Sequence, residues 1–192
     1  MSNPMIKEVI AWSELLCIHA DMGSKFYYDD IIIDRAHHLR TDKNWLSAGL
    51  NGDTVHIIPV WRNQNLIVTN SPANNVLDAA ILVGSAADNV RKNAETLVFL
   101  GIKDDIIYCA ADLSHIENPH SNILPKETSF EDLRQMATTL DPIEAGYLAY
   151  ARALIHWHRE HQFCGSCGEL TKSSRGGHER ACLNSKCGKS HF

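Results

Sequence analysis

Four of the chain's six cysteines fall within its last 30 residues, and no other side chains here combine reactive type with such regular spacing. Cys164-Gly165-Ser166-Cys167-Gly168 and Cys182-Leu183-Asn184-Ser185-Lys186-Cys187-Gly188 form two short turns separated by 14 residues. Brought face to face, they offer Zn²⁺ the four soft ligands its tetrahedron takes, so Cys164, Cys167, Cys182 and Cys187 read as a structural zinc ribbon. The glycine after each second cysteine suits a tight knuckle, because it tolerates positive φ. The competing reading is two disulfides or four free thiols. His156, His158 and His161 crowd the stretch just before the first knuckle, as a metal or acid-base site would require. They lack the i,i+4 histidine pair flanking a glutamate that a helical zinc-protease motif needs. Their expected role is to sit at the negative end of a helix, where His⁺ and Arg are favourable.

Nothing else in the sequence assembles into a recognisable reaction centre. Asp29-Asp30 and Asp104-Asp105 have no histidine, serine or further acid at a useful spacing, and read as loop charges. Gly84-Ser85-Ala86-Ala87 lacks the lysine and hydroxyl residue of a phosphate loop, and no Gly-x-Ser-x-Gly occurs. No catalytic residue is therefore assigned. At 44% hydrophobic and 21% charged residues, the chain has the composition of a soluble globular protein of one or two domains. No apolar run reaches the length of a membrane span, and Glu8 and Glu14 interrupt the stretch Met5 to Ile18 that a signal peptide would need. Cys17 and Cys109 read as buried free thiols, and a thiolate metal site without an export signal points to the reducing cytoplasm. Residues 151–192 hold seven of the 18 Lys and Arg but three of the 23 Asp and Glu, so a basic C-terminal segment follows an acidic body. That body makes a whole-chain nucleic-acid binder less favoured.

The elements that must position the cysteines follow from periodicity. Met5 to Ala20 has loose helical spacing. Val55–Val60 and Leu66–Thr69 read as two strands, and Ala80–Val83 as a third. Thr96–Leu100 and Ile106–Ala110 frame a hairpin around Gly101–Asp105. Residues 113–128 read as a connection, after which Ser129 is a candidate cap for a short helix. Asp141-Pro142-Ile143-Glu144 is a fuller start signal: Asp as N-cap, Pro at the first helical position, Glu at the third. From there Ile143, Tyr147, Ala151, Leu154, Ile155 and His158 share one face to about Glu160, a helix of about 28 Å. It ends against the first knuckle and can orient it. The ribbon's hairpin is expected from Glu169–Arg175, a turn at Gly176-Gly177, and His178–Ala181.

Taken together, Phe130-Glu131-Asp132-Leu133-Arg134, Ala149-Tyr150-Ala151-Arg152-Ala153-Leu154, Trp157-His158 and Phe163-Cys164-Gly165-Ser166-Cys167-Gly168 resemble the NADH pyrophosphatase (NAD⁺ diphosphatase) family of Nudix hydrolases. Gly176-Gly177, Cys182, Cys187-Gly188 and the closing His191-Phe192 continue the likeness, as do Ile33–Arg40 and Phe99-Leu100-Gly101 upstream. The resemblance implies an α+β fold. A rudimentary Nudix-like α/β domain covers residues 1–128, a helical linker 129–160 and a β-hairpin zinc ribbon 161–192, with a catalytic Nudix domain to follow. It also implies hydrolysis of NADH or NAD⁺ to nicotinamide mononucleotide and AMP, action on NAD-capped RNA in some members, and a homodimer. The catalytic Mg²⁺ or Mn²⁺ belongs to a Nudix box ending Arg-Glu-x-x-Glu-Glu-x-Gly. This sequence contains no Glu-Glu pair, so the chain alone is expected to be inactive. Two positions carry over as substrate contacts. Arg134 would pair with phosphate oxygens through its guanidinium fork, and Phe192 would border the nucleotide pocket.

The second knuckle has four residues between its cysteines where the commoner form of the family has two. An alternative reading is a stand-alone ribbon that binds nucleic acid or a protein partner through Lys172, Arg175, Arg180, Lys186 and Lys189.

Overall fold

Continuous apolar runs such as Val55–Val60 and Val98–Leu100 suit strands covered on both faces, and they build the central sheet. A computed structural model describes residues 33–52, 54–69, 77–136 and 139–192. The expected helix at Met5–Ala20, Cys17 and the Asp29-Asp30 pair lie outside the described residues. A 3-10 turn at His37–Thr41 leads into helix α1 (Lys43–Leu50), capped by Asp42, whose carboxylate accepts from the amides of Asn44 and Trp45 at 2.9 Å. Strands β1 (Val55–Trp61) and β2 (Gln64–Val68), helix α2 (Gly84–Asn93), and strands β3 (Thr96–Lys103), β4 (Ile106–Asp112) and β5 (Thr128–Glu131) follow. Helices α3 (Leu133–Met136) and α4 (Pro142–Glu160) then lead to the ribbon strands β6 (Thr171–Ser174), β7 (Glu179–Cys182) and β8 (Ser190–His191).

The five-stranded sheet has the order β3-β4-β1-β2-β5 and is mixed, because β1 and β4 run parallel while every other pair is antiparallel. Its two faces carry two cores. Ile58, Val60, Ile67, Val98, Leu100 and Ala110 meet Ala145, Leu148, Ala151 and Ile155 of α4. On the other face Val55, Ile57, Leu66, Cys109 and Ala111 meet Ala87 and Val90 of α2, with Leu113 and Leu124 from the connection. A smaller cluster of Ala36, Leu46 and Phe99 fixes α1 to β3. No helix among the described residues is long and apolar enough to cross a membrane.

The α+β class holds, with a second, three-stranded antiparallel sheet of order β6-β7-β8 at the C-terminus. Helix α4 has the expected bounds, and Asp141 caps it by accepting from the amides of Ile143 (2.9 Å) and Glu144 (3.3 Å). Three local expectations change. Ala80–Val83 is no strand: the segment touches the sheet only through isolated bridges, Ile57 to Leu82 and Ile67 to Ala79, wedged where β1 and β2 splay apart beyond their shared turn. Ser129 does not cap a helix but lies in β5, paired with Ile67, and Asp132 caps α3 instead by accepting from the Arg134 amide. The β3–β4 hairpin turns on Asp104-Asp105 alone, both at positive φ (51° and 62°), so this acidic pair is a turn.

Candidate metal centre and a cleft on the linker helix

Each knuckle is shaped by backbone hydrogen bonds before any metal is considered. The Gly168 amide donates to the Cys164 carbonyl (2.8 Å), and the Gly188 and Cys187 amides donate to the Asn184 carbonyl (3.0 Å each). Gly168 and Gly188 hold φ of 76° and 59°, the conformation expected of the glycines that follow the second cysteines. Strand β8 closes the site from the far side. Its His191 pairs with Arg180 in the ladder, and its ring Nε2 donates to Cys164 Sγ at 3.2 Å. The sequence reading missed both β8 and this contact, for a two-residue strand leaves no periodicity to find.

The four Sγ atoms lie within 4.8 Å of one another. Cys164 and Cys187 are 3.8 Å apart, Cys167 and Cys182 3.5 Å. A tetrahedron of thiolates at about 2.3 Å from zinc has edges of about 3.8 Å, so the donor set fits such an ion. No disulfide joins the described cysteines, and the cluster is consistent with a zinc ribbon. The Ser166 amide chiefly, helped by the His191 ring and the Cys167 amide, holds the Cys164 thiol down at about 5. Burial pushes Cys182 up to about 12, with the neighbouring thiols adding to it. Four thiolates so close together need a cation to coexist. The remaining described cysteine, Cys109, is buried in the sheet, where desolvation raises it to about 12 and leaves it unreactive.

The ribbon is bolted to the sheet domain by its 3-10 turn, Arg175–Gly177, and by three side chains. His158, expected as a charged cap, is buried and neutral. Its Nδ1 accepts from Arg180 Nη1 at 2.8 Å, which leaves Nε2 to donate to the Gly177 carbonyl at 2.7 Å. Burial lowers its pKa, and the nearby Arg180 charge lowers it further. Arg180, also buried, spends its other donors on Thr171 Oγ1 (2.7 Å) and the Thr171 carbonyl (3.0 Å), and meets no carboxylate at ion-pair distance among the described residues. His178 donates to the Phe99 carbonyl at 2.6 Å, and burial drives it down to about 4. Of the three histidines near the helix end, His161 does cap it, its Nδ1 donating to the Trp157 carbonyl at 2.9 Å. His156 is exposed on another face.

That other face of α4 borders a cleft of about 330 Å³, with Arg152, His156 and Ala153 on one wall and Arg134, Leu133 and Asn63 on the other. Arg134 is 77% exposed and its fork is already engaged: Nη2 donates to Asp132 Oδ2 at 2.6 Å, and Nε lies 3.2 Å from both carboxylate oxygens. The hydrogen bonds from Arg134 hold the Asp132 carboxyl down at about 2. Arg152 approaches the same carboxylate at 3.8 Å. The Asn63 side-chain oxygen, by contrast, is buried without a hydrogen-bond partner. Phe192 is 82% exposed at the end of β8 and does not line this cleft, so the structure does not bring the two expected substrate contacts together.

Comparison with known proteins places these features in a lineage. Residues 54–157 match the family described as the NADH pyrophosphatase-like rudimentary NUDIX domain. The chain is similar to the chloroplastic Nudix hydrolase 19 of Arabidopsis thaliana, with 31% identity over 60% of this chain and 27% of that protein. It is similar to the NAD-capped RNA hydrolase NUDT12 of Pongo abelii, with 24% identity over 84% of this chain and 41% of that one. The NAD-capped RNA hydrolase NudC of Stutzerimonas stutzeri shares 36% identity over 33% of this chain and 22% of its own. In each case the match covers less than half of the relative's length. The α4-backed sheet that carries the cysteine ribbon belongs to the NUDIX-like domain family of the NADH pyrophosphatases.

Proposed function

We propose that this chain is the scaffold of a NAD(H) pyrophosphatase: residues 1–128 form the Nudix-like domain, 129–160 the helical linker, and 161–192 a ribbon closed by structural Zn²⁺ on Cys164, Cys167, Cys182 and Cys187. The observation that carries the reading is the set of four sulfurs within 4.8 Å, mounted just past the end of the long helix α4 that packs on the sheet. The reaction assigned to the whole protein is hydrolysis of NADH or NAD⁺ to nicotinamide mononucleotide and AMP, and of NAD-capped RNA. Mg²⁺ or Mn²⁺ supplies the Lewis acid there, on a Nudix box this sequence lacks. Arg134 serves as a phosphate contact once Asp132 yields its fork, with Arg152 beside it, and Phe192 packs at the nucleotide pocket of the complete protein. The working form is a cytoplasmic homodimer, a location supported by the four-thiol metal site, which a reducing compartment preserves.

Two measurements test this. The purified chain should release no AMP from NADH with Mg²⁺ or Mn²⁺, while the gene read past the codon for Phe192 should encode a Nudix box and a product that does. Magnesium-dependent turnover by the 192 residues alone would overturn the division of labour. The zinc assignment predicts one Zn²⁺ per chain by elemental analysis. Apparent binding energies of structural zinc are about 10–16 kcal/mol, so chelation or Cys164→Ser should collapse the amide dispersion of the ribbon strands while sparing the five-stranded sheet. Full ribbon dispersion after complete metal removal would sink it.

A further inference from the structure

Where α1 and the 3-10 turn at His37–Thr41 face the ribbon hairpin, the surface opens into two adjoining depressions of about 280 and 380 Å³ that share Lys43, Leu46, Ser174 and Arg175. Cations ring them: Arg40 and Lys43 on the domain side, Lys172 and Arg175 on the ribbon side. Lys43, Lys172 and Arg175 are exposed. The lining includes one carboxylate, Glu179, whose side chain is 9% exposed and already paired with Arg175 at 2.8 Å. The floor between the cations is apolar, formed by Leu46, Leu50 and Leu97, and the Ser173 and Ser174 hydroxyls lie along the ribbon wall. A groove with basic walls, hydroxyl donors and an apolar floor suits a ligand that alternates phosphates with flat, weakly polar rings. In a chain whose formal charge is −5, this local concentration of positive charge is the more selective for a polyanion.

The two walls are held in register by close packing. A Cβ placed on Gly177 would lie 2.8 Å from Val98 Cγ1, and one on Gly176 3.3 Å from Leu46 Cδ2. The ribbon turn therefore sits directly on β3 and α1, and the spacing of Lys172 and Arg175 from Lys43 is fixed before any ligand arrives.

We infer that this groove binds the sugar-phosphate backbone of single-stranded RNA, holding the body of an RNA substrate. The inference rests on the RNA half of the function proposed above, but it is read without any hydrolysis. Fluorescence anisotropy of the zinc-loaded chain with a labelled, uncapped single-stranded RNA should show binding. The log-log salt slope should be about −0.7 for each phosphate neutralised, hence about −2 for Arg40, Lys43 and Lys172, since Arg175 is already paired with Glu179. Lys43→Glu with Lys172→Glu should weaken binding at least about tenfold and flatten the slope by about 1.4, with zinc content and thermal melting unchanged. Lys186→Glu with Lys189→Glu, on the second knuckle and outside the groove, should leave binding intact. Absence of RNA binding at low salt overturns the groove while leaving the AMP-release reading to its own assay. So does a loss confined to the knuckle pair, or equal affinity for a polyglutamate peptide of matched charge.

Discussion

At the residue scale, the junction between ribbon and domain depends on two histidines that must stay neutral. His158 can accept from Arg180 only while its Nδ1 is bare, and protonation would set two cations against each other at 2.8 Å. His178 sits nearly as deep, and its pKa of about 4 lies below the ordinary 6.5. Between those two values the unfolded chain binds a proton that the folded one refuses. Stability is therefore complete above about 6.5 and falls as pH drops towards about 4, where the loss levels off. Thermal melts of the wild type across that window should slope downward with acidity. His178→Gln, whose amide can still donate to the Phe99 carbonyl, should show a shallower slope. Identical slopes would mean His178 is protonated in the fold. The cysteine site was legible because knuckle spacing is local and encodes its own geometry. The histidine junction was not, since Gly177 and Arg180 stand 19 and 22 residues from His158, and periodicity cannot show which distant partner waits there.

At the scale of elements, legibility tracked how much of each signal was local. Helix α4 carried an N-cap, a proline at its first position and a long apolar face, and it appeared with the expected bounds. Helices α1 and α2 went unread. The second, Gly-Ser-Ala-Ala-Asp-Asn-Val-Arg-Lys-Asn, is mostly polar and is held by burying Ala87 and Val90 against the sheet. Ala80–Val83 has strand-like residues, yet at the splay between β1 and β2 it has room for single bridges rather than a ladder. The ribbon turn is the element where space is tightest. Gly177 has a φ of 92° and no room for a methyl group above Val98. Gly177→Ala should cost about 2 kcal/mol through overpacking and backbone strain. That corresponds to a melting temperature lower by about 4–8 °C for a chain of this size. An unchanged melt would mean that the turn does not rest on β3 in solution.

At the scale of the whole molecule, one helix serves two places at once. The side of α4 that carries Arg152 and His156 lines the cleft, while its buried side ends at His158 and delivers the chain to Cys164. An α-helix advances by about 100° per residue. The orientation of the metal site relative to the cleft is thus set by how many residues lie between them, whatever those residues are. Substitutions on the exposed stripe, such as Ala153 or Arg159, should be tolerated. Insertion of a single alanine after His156 should instead swing His158 off Gly177 and turn the ribbon about a quarter of the way round. Small-angle scattering and loss of the His158 ring signal from its buried environment would report this, with zinc still bound. An insertion that left both unchanged would show that the helix is not what sets the angle. Descent with this architecture therefore constrains the linker as a counted length: the letters of its exposed stripe are free to drift, but its arithmetic is not.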